Sequence, residues 1–100
     1  MWYFVYGLKK PDSPLVGMQL AERSLRESGF RVFDPANDGG FTVAGMHDGL
    51  QILATVTSMA GDGGMVVAIN TFTANQAAAD AAGRAAKKVY DDIATSVRID

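Results

Sequence analysis

The feature that most constrains the fold is an alternation of apolar and polar residues between positions 41 and 72, interrupted twice by glycine-containing turns. The segments FTVAGM, LQILATVTSM and MVVAINTF place apolar side chains at every second residue, the pattern of half-buried β-strands. They are separated by HDG and AGDGG, and an Asp-Gly pair between alternating segments is typical of a tight hairpin. Residues 41–72 therefore predict three consecutive antiparallel strands.

The two turns also predict how these strands pair. Centring the first turn on the Asp-Gly pair of HDG places Val43 opposite Ala54. Centring the second turn on the Asp-Gly pair of AGDGG places Val56 opposite Ile69. Both registers give the same inner, core-facing side of the sheet, made of Phe41, Val43, Ile52, Ala54, Val56, Val67 and Ile69.

The opposite side of this predicted sheet is polar only in part. Ala44, Leu53 and Phe72 are expected to form one cross-strand row there, with Met59 paired to Val66 nearby. A sheet face that only meets water does not need these apolar side chains, so we interpret it as an interaction surface. The predicted partner-binding residues are Ala44, Met46, Leu53, Met59, Val66 and Phe72.

The ends of the chain supply a further strand and two helices. MWYFVY is aromatic and β-branched and predicts a strand that stops at Gly7. Ser13 is a good N-cap and Pro14 suits the first helical position, so a helix is expected from there to about Ser28, ended by Gly29. FRVF predicts a short strand, and an amphipathic helix is expected from about Asn75 to Ile93.

Together these elements predict an α+β fold of order β-α-β-β-β-β-α, with both helices packed on one face of an antiparallel sheet. The length of 100 residues corresponds to a single domain spanning residues 1–100. Small residues form a stripe on each helix, which favours close packing of the two helices. These residues are Gly17, Ala21, Ser24 and Ser28 on the first and Ala78, Ala82, Ala85 and Ala86 on the second.

Composition excludes several classes of protein. The net charge of −2 and the pI near 5.2 argue against nucleic-acid binding, which normally needs a dense basic stripe. The chain has no cysteine, hence no disulfide and no thiolate nucleophile or ligand, and no stretch is apolar enough for a membrane span. Met1 as the native start predicts a cytoplasmic protein, whereas a removed leader would predict an exported one.

The single histidine lies in MHDGLQI, where Asp48-Gly49 suit the positive φ angles of a hairpin turn. This turn function explains His47 without a ligand role. A small-ligand or copper-type carrier is the alternative, with His47 and Met46 as candidate ligands and Met59 or Met65 as a third. The sequence itself predicts no cofactor.

A small enzyme is the remaining alternative. The acid/base groups open to it all lie in predicted turns or loops: His47, Asp34, Asp38, Asp48 and Asp62. Their spacing singles out no catalytic arrangement and indicates no water-excluding cavity. We therefore predict a non-enzymatic binding module that self-associates or binds a protein partner through the outer sheet face.

The motifs AERSLRESGF, GGFTVAGMHDGLQILATVTSM and GGMVVAINTFTAN, with a closing helix that contains AAGR, cover the chain from residue 17 onward. In these motifs the chain resembles a loose group of small bacterial proteins of unknown function, many made with export leaders. The resemblance implies an αβββα core and brings no activity with it. Such relatives often carry cysteines in the first helix and the middle strand, which this chain lacks, so no disulfide is implied.

Overall fold

In the computed structural model, which describes residues 1–96, the chain forms a five-stranded antiparallel sheet and two α-helices in the predicted order. The strands occur in the sheet in the order β1-β5-β4-β3-β2, so the first strand lies beside the last. The elements are β1 (Trp2–Lys10), α1 (Pro14–Glu27), β2 (Arg31–Asp34), β3 (Thr42–His47), β4 (Ile52–Gly61), β5 (Gly64–Thr73) and α2 (Ala79–Ala94), the last preceded by a 3-10 turn (Gln76–Ala78).

The two hairpins differ in how well the sequence predicted them. The β4–β5 register is confirmed, with Val56 opposite Ile69. The β3–β4 register is wrong by two residues, because His47 pairs with Ile52 across a four-residue loop. The positive φ of this loop falls at Gln51, at 57°, and not at the Asp-Gly pair. A shift of two residues keeps every side chain on its predicted face but moves it along the strand.

Two boundary predictions are also wrong. β1 does not stop at Gly7, which pairs with Ala68 in the middle of a ladder running from Trp2 to Lys10. Phe41 was expected on the inner face, but it precedes β3 and is 60% exposed. Its backbone carbonyl accepts a hydrogen bond from the amide of Ser58, which explains why it still lies beside β4.

Both helices pack on the inner face of the sheet and against each other, as predicted. α1 contacts β2, β3, β4 and β5, while α2 contacts β1 and β5. α1 approaches closely where Gly17 passes over β4 and β5, since a Cβ there would lie 2.7 Å from both Ser58 Oγ and Met65 Sδ. The fully buried larger side chains of this core include Met18, Leu25, Val43, Ile52, Val56, Met65, Val67, Ile69, Val89 and Ile93.

A lysine from the first strand binds the end of the last helix. Lys10 Nζ donates to the backbone carbonyls of Ile93 at 3.0 Å and Ser96 at 2.7 Å, and lies 3.4 Å from the carboxylate of the buried Asp12. The carbonyls at a helix C-terminus lack partners within the helix and carry partial negative charge, so a cation stabilises them. This contact fixes the end of α2 beneath β1.

The two helices are joined by a small charge network centred on Lys88. Its Nζ lies 2.7 Å from Asp92 Oδ2 and 3.0 Å from Glu27 Oε1 across the helix pair. Burial pushes the pKa of Asp92 upward, but hydrogen bonds from Lys88 and Ser24 and the charges of Lys88 and Arg23 outweigh it, leaving the pKa below its usual 3.8.

Because the pKa of Asp92 is lower in the folded state, the stability it contributes is present above pH 3.8 and is lost as the pH falls through the lowered value. We expect Asp92→Asn to remove about 0.5 kcal/mol at neutral pH, since the pair is partly exposed. The variant should lose less stability than the wild type between pH 5 and pH 3, as measured by urea unfolding. Parallel curves for the two proteins would contradict the assignment.

Candidate functional site: the outer face of the sheet

The side of the sheet opposite the helices, here called the outer face, is built by alternate residues of the strands. Its most apolar row consists of side chains directly opposite one another on four adjacent strands, and we call this row the ridge. The ridge contains Tyr3 of β1, Phe72 of β5, Leu53 of β4 and Met46 of β3. Tyr3 is 68% exposed and the other three are half-buried.

The structure brings together most, though not all, of the residues predicted for the site. Met46, Leu53 and Phe72 lie in the ridge, and Met59 faces Val66 at the other end of the face, as predicted. Ala44 is not in the row with Leu53 and Phe72, because the shifted β3–β4 register places it opposite Thr55. Ala44 is also only 7% exposed, so it offers little contact area.

The prediction for the site missed the contribution of β1. Tyr3 and Val5 point outward from this edge strand and are 68% and 58% exposed, so they extend the apolar surface beyond β5. The alternation in MWYFVY could have indicated that one set of side chains lies away from the core. It could not indicate which strand β1 pairs with.

Charge is confined to the corners of this face. Among the described residues that point outward from β1, β3, β4 and β5, Lys9 is the only charged one, and it lies near the end of the edge strand. At the opposite corner Arg31 makes two hydrogen bonds of 3.0 Å to Asp48. These bonds and the charge of Arg31 hold the pKa of Asp48 below its usual value, and Asp48 in turn raises the pKa of Arg31.

A groove borders the ridge at the end of the sheet where β4 begins. Its volume is about 480 Å³, and one wall is formed by the ridge residues Met46, Leu53 and Phe72. The other lining residues are Met1, Asp48, Gln51, Thr73 and Ala74. The groove is partly open to solvent and can therefore receive a side chain from another surface.

His47 is the last residue of β3, and its side chain lies on the side of the sheet away from this surface. Its ring packs edge-on against Phe30 at 5.5 Å between centroids, and its Nδ1 accepts a hydrogen bond from the amide of Leu50 at 3.1 Å. Met46 points to the outer face, and Met65 is buried beneath α1. Within residues 1–96 no cluster of three or more His, Asp or Glu side chains could hold a metal ion.

The carboxylates considered for catalysis are far apart. Asp48 lies in the loop before β4 and Asp62 in the turn after it, so a ten-residue strand of about 33 Å separates them. Asp34 and Asp38 lie at and beyond the end of β2, on exposed backbone. His47 lines a cavity of about 220 Å³ between the sheet and α2, which includes none of these aspartates.

Neither α1 nor α2, the two α-helices of the described chain, has the length and apolar content needed to cross a membrane. Comparisons of the chain with protein families, with curated proteins and with solved structures found no match. The resemblance to small bacterial αβββα proteins therefore stays a prediction.

Proposed function

We propose that this chain is an interaction module that self-associates, with the outer face of one copy lying on the outer face of a second. The observation that carries the proposal is the combination of exposed apolar side chains with the absence of described charged side chains from the centre of this face. Tyr3, Val5, Met59 and Val66 are each about half exposed or more. An apolar surface of this kind is typical of a binding site, since it gains free energy when water is removed from it.

The chemistry of the face favours a second copy over a charged partner. Outward-pointing residues of the four longer strands offer one cation at a corner, Lys9, and no carboxylate within the described chain. Arg31 of β2 lies opposite Met46 at the edge of the face, where it is paired with Asp48. A strongly acidic or basic partner would find little to pair with. A face whose centre carries no charge can lie on an identical one with little charge repulsion, and two-fold dimers use the same patch on both copies.

The size of the face fits a reversible dimer. The four strands β1, β5, β4 and β3 lie about 4.8 Å apart and cover roughly 19 Å, and the seven residues from Tyr3 to Lys9 cover roughly 23 Å. This footprint is roughly 440 Å² on each copy, or about 870 Å² for the pair before the relief of the side chains is counted. Interfaces below about 1,200 Å² are typical of weak, transient association.

Replacing Leu53 with aspartate should dissociate the dimer, because Leu53 lies in the ridge on the central strand of the sheet. Each leucine buried at an interface contributes about 1.5 kcal/mol or more, and a two-fold dimer buries two. The dissociation constant should therefore rise at least about 100-fold. Sedimentation equilibrium of the wild type and the variant measures this change.

Val16→Asp is the matched control, since Val16 is an exposed aliphatic residue on α1, away from the outer face. This variant should associate like the wild type. A wild-type chain that sediments as a monomer at submillimolar concentration would rule out self-association. A Leu53→Asp variant that remains dimeric would show that the copies meet through another surface.

A further inference from the structure

The outer face has a relief of high and low rows that run across the strands. Along the strand direction the features follow in a fixed order: the groove, the ridge, a middle row, a low row that we call the trough, and the Met59–Val66 pair. The middle row contains Val5, Asn70, Thr55 and Ala44, and the trough contains Gly7, Ala68, Thr57 and Thr42. If this order is reversed about the middle row, the ridge falls at the position of the trough, and the Met59–Val66 pair falls at the position of the groove.

Only certain two-fold axes bring high rows onto low ones. An axis parallel to the strands would place each ridge on the partner's ridge and leave both troughs unfilled. An axis along the middle row exchanges the ridge with the trough, and the Met59–Val66 pair with the groove. Protein interfaces pack at the density of protein interiors, with side chains interdigitated between sheets about 10 Å apart.

We propose, building on the self-association proposed above, that the two copies are related by a two-fold axis along the middle row, so that each ridge fills the partner's trough. Successive rows lie two residues, or about 6.7 Å, apart, so the two ridges run about 13 Å apart on either side of the axis. On the central strand β4, Leu53 lies over the partner's Thr57. Thr55 lies over the partner's Thr55.

The groove supports the same axis independently of the ridge. It lies one row beyond the ridge, and the Met59–Val66 pair lies one row beyond the trough, so the axis places this pair over the partner's groove. Met59 is half exposed, and its unbranched, flexible side chain adapts to irregular spaces. The groove is about 480 Å³, large enough to receive both side chains.

The pairing of Leu53 with the partner's Thr57 can be tested by mixing two variants. Leu53→Asp and Thr57→Lys should each dissociate the dimer on their own. In a dimer of either variant, the new charge faces an uncharged side chain of the other copy at both equivalent contacts. A mixed dimer of the two variants holds one Asp–Lys pair and one native Leu–Thr pair. The mixture should therefore associate at least about tenfold more tightly than either variant alone, measured by sedimentation of labelled chains.

A cysteine cross-link gives a second readout that needs no charge. The chain has no cysteine, so Thr55→Cys introduces a single thiol that should meet its own copy. A short bismaleimide, which adds one thiol across each of its two carbon–carbon double bonds, should then give a covalent dimer in high yield, because it can span the roughly 10 Å between the two sheets. Thr57→Cys is the matched control, on the same strand and face, and should cross-link at least about tenfold more slowly because it faces the partner's Leu53.

The outcomes separate this inference from the proposal on which it rests. A monomeric wild type overturns both. A dimeric wild type that is dissociated by Leu53→Asp supports self-association through this face. In that case, three results would each contradict the proposed axis: no gain of affinity on mixing the two variants, a Thr57→Lys variant that stays dimeric, or a Thr57→Cys variant that cross-links as fast as Thr55→Cys. Recovery on mixing together with selective cross-linking at position 55 supports the axis.

Discussion

Replacing Gly64 with alanine should lower the free energy of unfolding by on the order of 3 kcal/mol and the Tm by roughly 15 °C. Gly64 begins β5 with a φ of 154°, a conformation that L side chains rarely adopt. A Cβ at this position would overlap the carbonyl oxygen of Lys10 and the Cα of Pro11. Both are backbone atoms, so no rotamer change relieves the overlap, and the end of β1 must move away from β5.

Gly63→Ala is the matched control for this effect. Gly63 also has a positive φ, 76°, but a Cβ there would have no atom within 4 Å. Its cost should be that of the backbone conformation alone, about 1 kcal/mol. Urea and thermal unfolding of the two variants measure the difference, and equal losses would show that close packing against Lys10 contributes nothing.

The second large effect is expected at the interface of α2 with the sheet. Ala82 is fully buried, and its backbone carbonyl accepts a hydrogen bond of 2.7 Å from Thr71 Oγ1, which holds the helix close to β5. A leucine at position 82 has no space, so Ala82→Leu should cost about 1–3 kcal/mol. Thermal unfolding should show a Tm lower by roughly 5–20 °C.

Ala94→Leu controls for the change in side chain on the same helix. Ala94 is exposed at the end of α2, so this variant should stay within about 0.5 kcal/mol of the wild type. If Ala82→Leu were as stable as Ala94→Leu, α2 would have to lie farther from the sheet than the Thr71 hydrogen bond allows.

The faces of the strands could be predicted from sequence, whereas one of the registers could not. Val43, Ala54 and Val56 are buried as expected because side chains alternate strictly along a strand. The Asp-Gly pair of the first hairpin fits a two-residue turn, but the chain forms a four-residue loop with Gln51 in the left-handed region. Loop length moves the register by two without changing any face, so burial patterns cannot detect the error.

The composition of the outer face depends on this register and on the place of β1. Ala44 was expected beside Leu53 and lies instead beside Thr55, while Met46 takes its place in the ridge. Tyr3 lies in the ridge because β1 pairs with β5, the strand farthest from it in sequence. Local patterns indicate that a segment is a strand, but its neighbour in the sheet is decided by tertiary packing, which no local pattern records.

The pairing of β1 with β5 has a consequence for synthesis on the ribosome. Strands β2 to β5 form a meander, so each of them can pair with the strand synthesised just before it. Tyr3 of β1, in contrast, pairs with Phe72, which is synthesised roughly 70 residues later. At translation rates of about 5–20 residues per second, the aromatic N-terminal segment emerges several seconds before its partner exists. During that interval WYFVY is a hydrophobic strand segment whose partner strand has not yet been synthesised, so it stays exposed to water until β5 is complete.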